Sequence, residues 1–366
     1  MNSLKKTDQL LFAALRTALW GEELPASSFA DLKADEWKQL YQTSAEQGVL
    51  ALVFDAVQQL SAEHQPPRSL KLQWAVNVDQ IEARYAQQER AIADLAAFYA
   101  DHGLRMMLLK GYGLSLNYPR PNHRPCGDAD IWLYGEQERA DQLLHEKMGI
   151  HIDEEKHHHT VFTFEGVMVE NHYDFLNVHA HRSNRAIEER LQALAREPRE
   201  EIQVGKAVID LPSADFNALF LLRHAAAHFA AVEIGLRHVV DWAVFLHRYH
   251  AEVNWKALDE MARKMNMHRF LYAISAIAVD WLGLPAACVG LMHRDSVLES
   301  RVLNEILHPE FSEQTPQGSI LRIVWFKYRR WWANRWKHRI VYREGLFSTF
   351  WVQVWSHLLK PRSIAH

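Results

Sequence analysis

Apolar residues recur at three- and four-residue spacing through the first hundred positions. LLFAALRTALW (10–20) and GVLALVFDAVQQL (48–60) each read as a helix with one buried stripe, and Pro66-Pro67 separates them from the next segment. Ala, Gln, Glu and Arg then dominate, which predicts one long helix from about Leu70 to Ala100. The texture changes after Gly103. Met106 to Leu109 is a short apolar run ending at Lys110-Gly111, read as a buried strand and its turn. A brief helix comes next at about 112–118, then the proline-punctuated loop YPRPNHRPCG (118–127) and a second strand, Asp128 to Tyr134. A charged helix over 136–148 leads to a hairpin, Thr160–Glu165 with Val167–Phe175, turning at Gly166. A strand at Ala207–Leu211 is closed by Pro212. Beyond it Ser213 and Asp215 are placed to cap a helix over 214–229, and further helices run to about Leu291. The expectation is an α+β fold: a small mixed sheet in 101–212, between helical regions at 1–100 and 213–319, with a separate tail at 320–366.

Composition changes this picture in two places. The chain of 366 residues is 48% hydrophobic and 23% charged, which excludes a disordered or fibrous protein and suits two or three domains. The net charge of −4 argues against a generally basic nucleic-acid binder, yet it averages two unlike parts. Residues 320–366 hold ten Lys/Arg against one Glu, a local +9, so residues 1–319 carry −13. In that tail Trp325, Trp331, Trp332 and Trp336 alternate with Lys327, Arg329, Arg330, Arg335, Lys337 and Arg339. A core helix covered by arginine stems is the favoured reading; an anionic membrane or RNA contact through 320–343 is the other. Two cysteines cannot build a disulfide framework, so a cytoplasmic setting is expected. Arg16 interrupts the apolar start, which reads as an amphipathic helix and not a signal peptide. The most apolar window, Leu271–Leu291, contains Asp280, Gly283 and Pro285 and reads as two buried helical pieces, not a membrane span.

The candidate chemistry centres on Asp128 and Asp130. Two apart on a strand, they project from one face and repel each other unless a cation lies between them. A divalent ion with oxygen ligands, Mg²⁺ or Mn²⁺, is the simplest reason to keep them. In VMVENHYDF the period of two puts Met168, Glu170, His172 and Asp174 on one face, so Glu170 is a candidate third ligand and His172 an accessory group. An ion pair of Glu170 with Arg182 or Arg185 is the structural alternative. Upstream, Lys110-Gly111-Tyr112-Gly113 lies between a strand and a helix, where backbone N–H groups and the helix N-terminus favour phosphate. The combination points to metal-assisted phosphoryl or nucleotidyl transfer.

LLKGYGLSLNYPRPNHRPCGDADIWLYG resembles the core signature of an uncharacterised nucleotidyltransferase family within the DNA-polymerase-β-like superfamily. The resemblance continues through VENHYDF and FLLRHAAAHF…LRHVVDWAVFL, covering about 100–250. It implies that Asp128, Asp130 and Glu170 bind the metals and act in catalysis, with Glu170 helping to activate an acceptor hydroxyl. It also puts Lys110 and Gly111 at the nucleotide phosphates; Gly113, Arg124 and Gly127, which flank that turn and the D-x-D strand, are the further nucleotide-binding candidates. Lys110 and Tyr112 depart from the Gly-Ser or Gly-Gly usual in that turn.

Other residues are read more plainly. His224 and His228 are four apart on a helix, but only alanines stand between them, so packing beside the site is expected over a zinc site. Arg237 and Asp241 have helical ion-pair spacing. Lys156 and His157–His159 read as an exposed loop before the hairpin, with metal capture the lesser alternative. The expected activity is Mg²⁺-dependent transfer of a nucleoside monophosphate from an NTP, most simply ATP, to an unknown acceptor. The alternatives are a non-catalytic nucleotide- or partner-binding protein of the same fold, and an adaptor acting through the tail.

Overall fold

The computed structural model describes residues 4–179, 181–197, 200–231, 233–311 and 320–345. The expected α+β arrangement is found. Four helices, α1 (Lys6–Trp20), α2 (Ala26–Phe29), α3 (Ala34–Glu46) and α4 (Leu50–Val57), lead to α5 (Arg68–Asp101), the predicted long helix. The mixed block contains β1 (Met107–Leu109), α6 (Gly111–Ser115), β2 (Ala129–Trp132), α7 (Gln137–Met148), β3 (His159–Phe164), β4 (Val167–His172), α8 (Arg182–Leu194), β5 (Glu200–Val204) and β6 (Ala207–Leu211). Then come α9 (Ala214–Ala231), α10 (Leu236–Tyr249), α11 (Trp255–Lys264), α12 (His268–Asp280), α13 (Ser296–Leu307), α14 (Ile320–Ala333) and α15 (Arg335–Val341).

The sheet order is β3-β4-β2-β1-β6-β5. β2 runs parallel to β4 and β1 parallel to β6, whereas β1–β2, β3–β4 and β5–β6 are antiparallel. Glu165 (φ 49°) and Gly166 (φ 79°) make the two-residue hairpin turn, both in the left-handed region that such turns demand. Ser213 Oγ accepts from Phe216 N–H and caps α9 as expected, while the Asp215 carboxylate instead accepts from Asn254 N–H.

The two faces of the sheet meet different partners, because alternate residues along each strand point oppositely. Leu108, Ala129, Ile131, Val169 and Ile209 face one core, closed by Ala91, Ile92, Leu95 and Tyr99 of α5 and by Ala140 and Leu144 of α7. Met107, Leu109 and Trp132 face the larger helical core, which includes Phe175 and also Phe216 and Phe220 of α9. The acidic residues expected to act lie on this second face, between sheet and helices. Asp141 ties α7 to the hairpin by accepting from Thr160 and Asn171, both at 2.8 Å.

Three sequence expectations change. β5 has no counterpart among them: its Glu200, Glu201 and Gln203 face outward on an edge strand, so no apolar run marks it. The amphipathic α8 is likewise an addition. In the window Leu271–Leu291 only α12 is a full helix; the second piece is one 3₁₀ turn, Ala286–Cys288. Among the described residues no helix is long and apolar enough to cross a membrane. The tail divides in two. α15 buries Lys337, His338, Ile340 and Val341, which meets the core-helix reading, and Trp336 packs on Phe229 with Arg301 over its ring. α14 instead exposes Trp325, Tyr328 and Trp332. Residues 346–366 of the tail lie outside the described residues.

Candidate active site

The turn after β1 is built by α5. Tyr85 stacks on Tyr112 at 5.2 Å between centroids, Tyr112 donates to Glu89 at 2.6 Å, and Tyr85 and Ser115 are joined at 3.0 Å. Tyr112 therefore points into the α5 side, which accounts for its presence in a turn where small residues are usual. Lys110 takes φ 42°, ψ −139°, and Gly111 φ 37°; two successive positive φ values are rare outside glycine and are found at functional turns. A Cβ on Gly113 would lie 2.8 Å from Leu211 Cδ2, so the missing side chain lets α6 lie against β6. Gly127 has open space about its Cα and directly precedes Asp128.

On the helical face of the sheet the register brings the acids together. Asp130 is paired with Glu170 across β2 and β4, and Trp132 with His172. Asp128 sits one residue before β2, its carbonyl held by Gln88 Nε2 of α5 at 2.8 Å. Asp130 is 3% exposed, and a single oxygen, Oδ1, receives both Lys110 Nζ at 2.8 Å and His172 Nε2 at 3.0 Å. His172 Nε2 also lies 3.6 Å from Glu170, and His159 Nε2 is 3.5 Å from the other Glu170 oxygen. The expected alternative, Glu170 with Arg182 or Arg185, is not what is found: its neighbours are imidazoles.

The charges are strongly coupled. Burial opposes ionisation of Asp130, but the Lys110 ammonium and the His172 hydrogen bond outweigh it and hold the carboxyl well below its ordinary range. Burial likewise opposes the His172 imidazolium, yet the hydrogen bond to Asp130 and the Glu170 carboxylate 3.6 Å away push it up to about 9. Asp128 goes the other way: burial, then repulsion from Asp130 and Glu170, raise its carboxyl. His158 and His159 are both lowered to about 3, chiefly by burial and then by neighbouring imidazoles.

A divalent ion fits this donor set. Asp130 and Glu170 offer carboxylate oxygens within 4.8 Å of each other and of a His172 nitrogen; Asp128 lies outside that group, and the repulsion from Asp130 and Glu170 that adds to burial in raising it is what a shared cation relieves. The Lys110 ammonium, 2.8 Å from Asp130, already neutralises part of this charge.

A pocket beside these acids is lined by Lys110, Arg124, His224, Arg237, His238 and Asp241, among others. Arg124 and Asp241 form a buried two-pronged pair at 2.8 and 2.9 Å, and Tyr118 OH donates to the same carboxylate at 2.6 Å. This corrects the expected Arg237–Asp241 pair: Arg237 donates to the Pro125 carbonyl at 3.1 Å, and the long-range partner holds Asp241. Both arginines grip the loop that delivers Asp128. His224 and His228 lie with tilted rings 4.4 Å apart beside His238, as a packed group next to Lys110; His238 has no sequence signal.

The same loop is also tied to α4 and α5 by His123, whose Nδ1 is 2.6 Å from Asp55 and Nε2 2.7 Å from Glu82. Burial alone would lower this histidine, but the two carboxylates raise it above its ordinary value. Its stabilising contribution is full below the unfolded value of about 6.5 and is lost as pH rises through the folded one. The melting temperature of wild type should therefore fall from pH 6 to pH 9 more than that of His123→Gln; parallel curves would refute this.

The exposed-loop expectation for 156–159 is also revised. His159 is the first residue of β3, buried, directly across from His172, and His158 is half-buried. Residues 33–283 match the model of a family described as an uncharacterised nucleotidyltransferase. No curated protein and no solved structure is significantly similar to the chain.

Proposed function

The chain belongs to this nucleotidyltransferase family, and from that premise we propose that it moves a nucleoside monophosphate from an NTP to a hydroxyl or phosphate of an acceptor, releasing pyrophosphate. The observation that supports this is the pairing of Asp130 with Glu170 on adjacent parallel strands, with Asp128 two residues ahead on the same face. Asp128, Asp130 and Glu170 would hold Mg²⁺ or Mn²⁺, which supply Lewis-acid stabilisation of the phosphoryl oxygens. Glu170 accepts the proton from the acceptor hydroxyl as its oxygen attacks the α-phosphorus. The bond to the bridging oxygen breaks, and pyrophosphate leaves with the electron pair. Lys110 and Arg237 neutralise phosphate charge from the pocket wall, and Arg124 keeps the 118–127 loop against α10 while adding to the same positive field. ATP as donor and a cytoplasmic setting belong to the same proposal. The expected contact of 320–343 with an anionic membrane or RNA rests on no geometry beyond the exposed rings of α14 and is not part of it.

The test is pyrophosphate release from each NTP with Mg²⁺ or Mn²⁺ and a cell extract as acceptor source. Wild type should release pyrophosphate in a metal-dependent manner, and Asp128→Asn should reduce this at least about a hundredfold. Tight NTP binding without release would favour the non-catalytic alternative; equal release by Asp128→Asn would remove the carboxylates from the chemistry.

A further inference from the structure

Next to the carboxylates, the hairpin gathers imidazoles that the proposed reaction does not use. The two-residue turn at Glu165-Gly166 puts His159 opposite His172, and His158 precedes His159 at the mouth of the hairpin. Ring centroids lie 4.2 Å apart for His158–His159, 5.1 Å for His159–His172 and 5.7 Å for His158–His172. One nitrogen from each of the three falls within 4.8 Å of the others. Three ligands about 2.0–2.1 Å from one tetrahedral ion would stand about 3.4 Å apart, a closure that side-chain rotation alone can make.

Two further observations point to a ligand. His159 is 5% exposed, and among the described residues neither of its ring nitrogens has a hydrogen bond, Glu170 standing 3.5 Å from Nε2; His158 Nδ1 is buried and lacks one too. Buried polar atoms are nearly always satisfied, so such a pair of orphans beside a third imidazole calls for an acceptor of lone pairs. His172 also carries the orienting contact that metal-binding histidines show. Its Nδ1 lies 3.1 Å from the Asp174 carbonyl, which fixes the ring, and an ion would take Nε2 by displacing its proton and its 3.0 Å contact with Asp130 Oδ1.

We propose that His158, His159 and His172 form a transition-metal site of the Zn²⁺ class, with the Glu170 oxygen 3.5 Å from His159 Nε2 available as an oxygen donor. Nitrogen donors select this class over Mg²⁺, which takes oxygen ligands and gives up its waters reluctantly. The site is distinct in donor type from Asp128 and Asp130, and it does not depend on nucleotidyl transfer. His172 and Glu170 connect the two.

The experiment is calorimetric titration of the full-length, chelator-treated protein with Zn²⁺, with Co²⁺ visible absorption as a second measurement. One saturable Zn²⁺ per chain is expected, resistant to a large excess of Mg²⁺, and Co²⁺ should give the intense bands of a tetrahedral site. His158→Ala and His159→Asn should each weaken Zn²⁺ at least about tenfold, with circular dichroism confirming the fold. Asp128→Asn should leave Zn²⁺ affinity unchanged, so loss of nucleotidyl transfer and loss of this site are read separately. Only weak, non-saturating Zn²⁺ binding, or wild-type affinity in both histidine variants, would overturn the site.

Discussion

Asp130→Asn should destabilise the metal-free protein by about 3–5 kcal/mol, whereas Asp128→Asn should leave it as stable or more stable. The two residues belong to one motif, yet their surroundings set opposite signs. Asp130 is the counter-charge of Lys110 and His172; removing it takes the nearest carboxylate from a half-buried ammonium and a buried imidazolium. Asp128 is held under repulsion, and its amide relieves Asp130 and Glu170. The pH dependence separates them further. Asp130 is depressed in the folded state, so its contribution is present above the unfolded value of about 3.9 and lost as pH falls through the folded one. His172 is raised, so its share is full below about 6.5 and is lost as pH rises through about 9. The stability gap between wild type and Asp130→Asn should thus narrow at both ends of the pH range. Urea unfolding in chelator would measure it; equal losses for the two asparagine variants would show that Lys110 and His172 do not depend on Asp130.

Asp241→Ala should cost a similar amount, about 3–5 kcal/mol, through a different element. Its carboxylate accepts from both prongs of Arg124 and from Tyr118, all within the buried seam between α10 and the 118–127 loop. Loss of the acid strands a guanidinium that is 5% exposed. It also frees the loop that carries Asp128, so turnover should fall along with stability. Replacing both partners, Arg124→Met with Asp241→Leu, should recover much of the stability but not the turnover. A double-mutant cycle in urea isolates the pair, and a coupling below about 0.5 kcal/mol would mean that the seam is held by packing alone.

The range of each interaction decides whether it is legible in the sequence. The period of two places Asp128, Asp130, Glu170 and His172 on their faces, because side-chain alternation is local. A turn at Gly166 alone would set Thr160 opposite His172; the two-residue turn Glu165-Gly166 shifts the register by one and brings His159 there. The run Lys156–His159 hides it, since four polar residues suggest solvent. Arg124 and Asp241 are 117 positions apart, and no spacing rule reaches that far; the helical rule that pairs Arg237 with Asp241 is correct about distance and wrong about competition. The glycines beside Lys110 suggest phosphate for its ammonium, and only the positive φ at the turn after β1 shows how it reaches Asp130. β5 carries no apolar signature because an edge strand needs only one covered face.

Lys110 is, in effect, a tethered competitor for the carboxylate it contacts. An ion that takes Asp130 must displace the ammonium, which lowers the ion's apparent affinity in the free protein. A polyphosphate offers Lys110 another anion and removes that competition. Nucleotide and ion should accordingly strengthen each other's binding, and thermodynamic reciprocity requires the same factor in both directions.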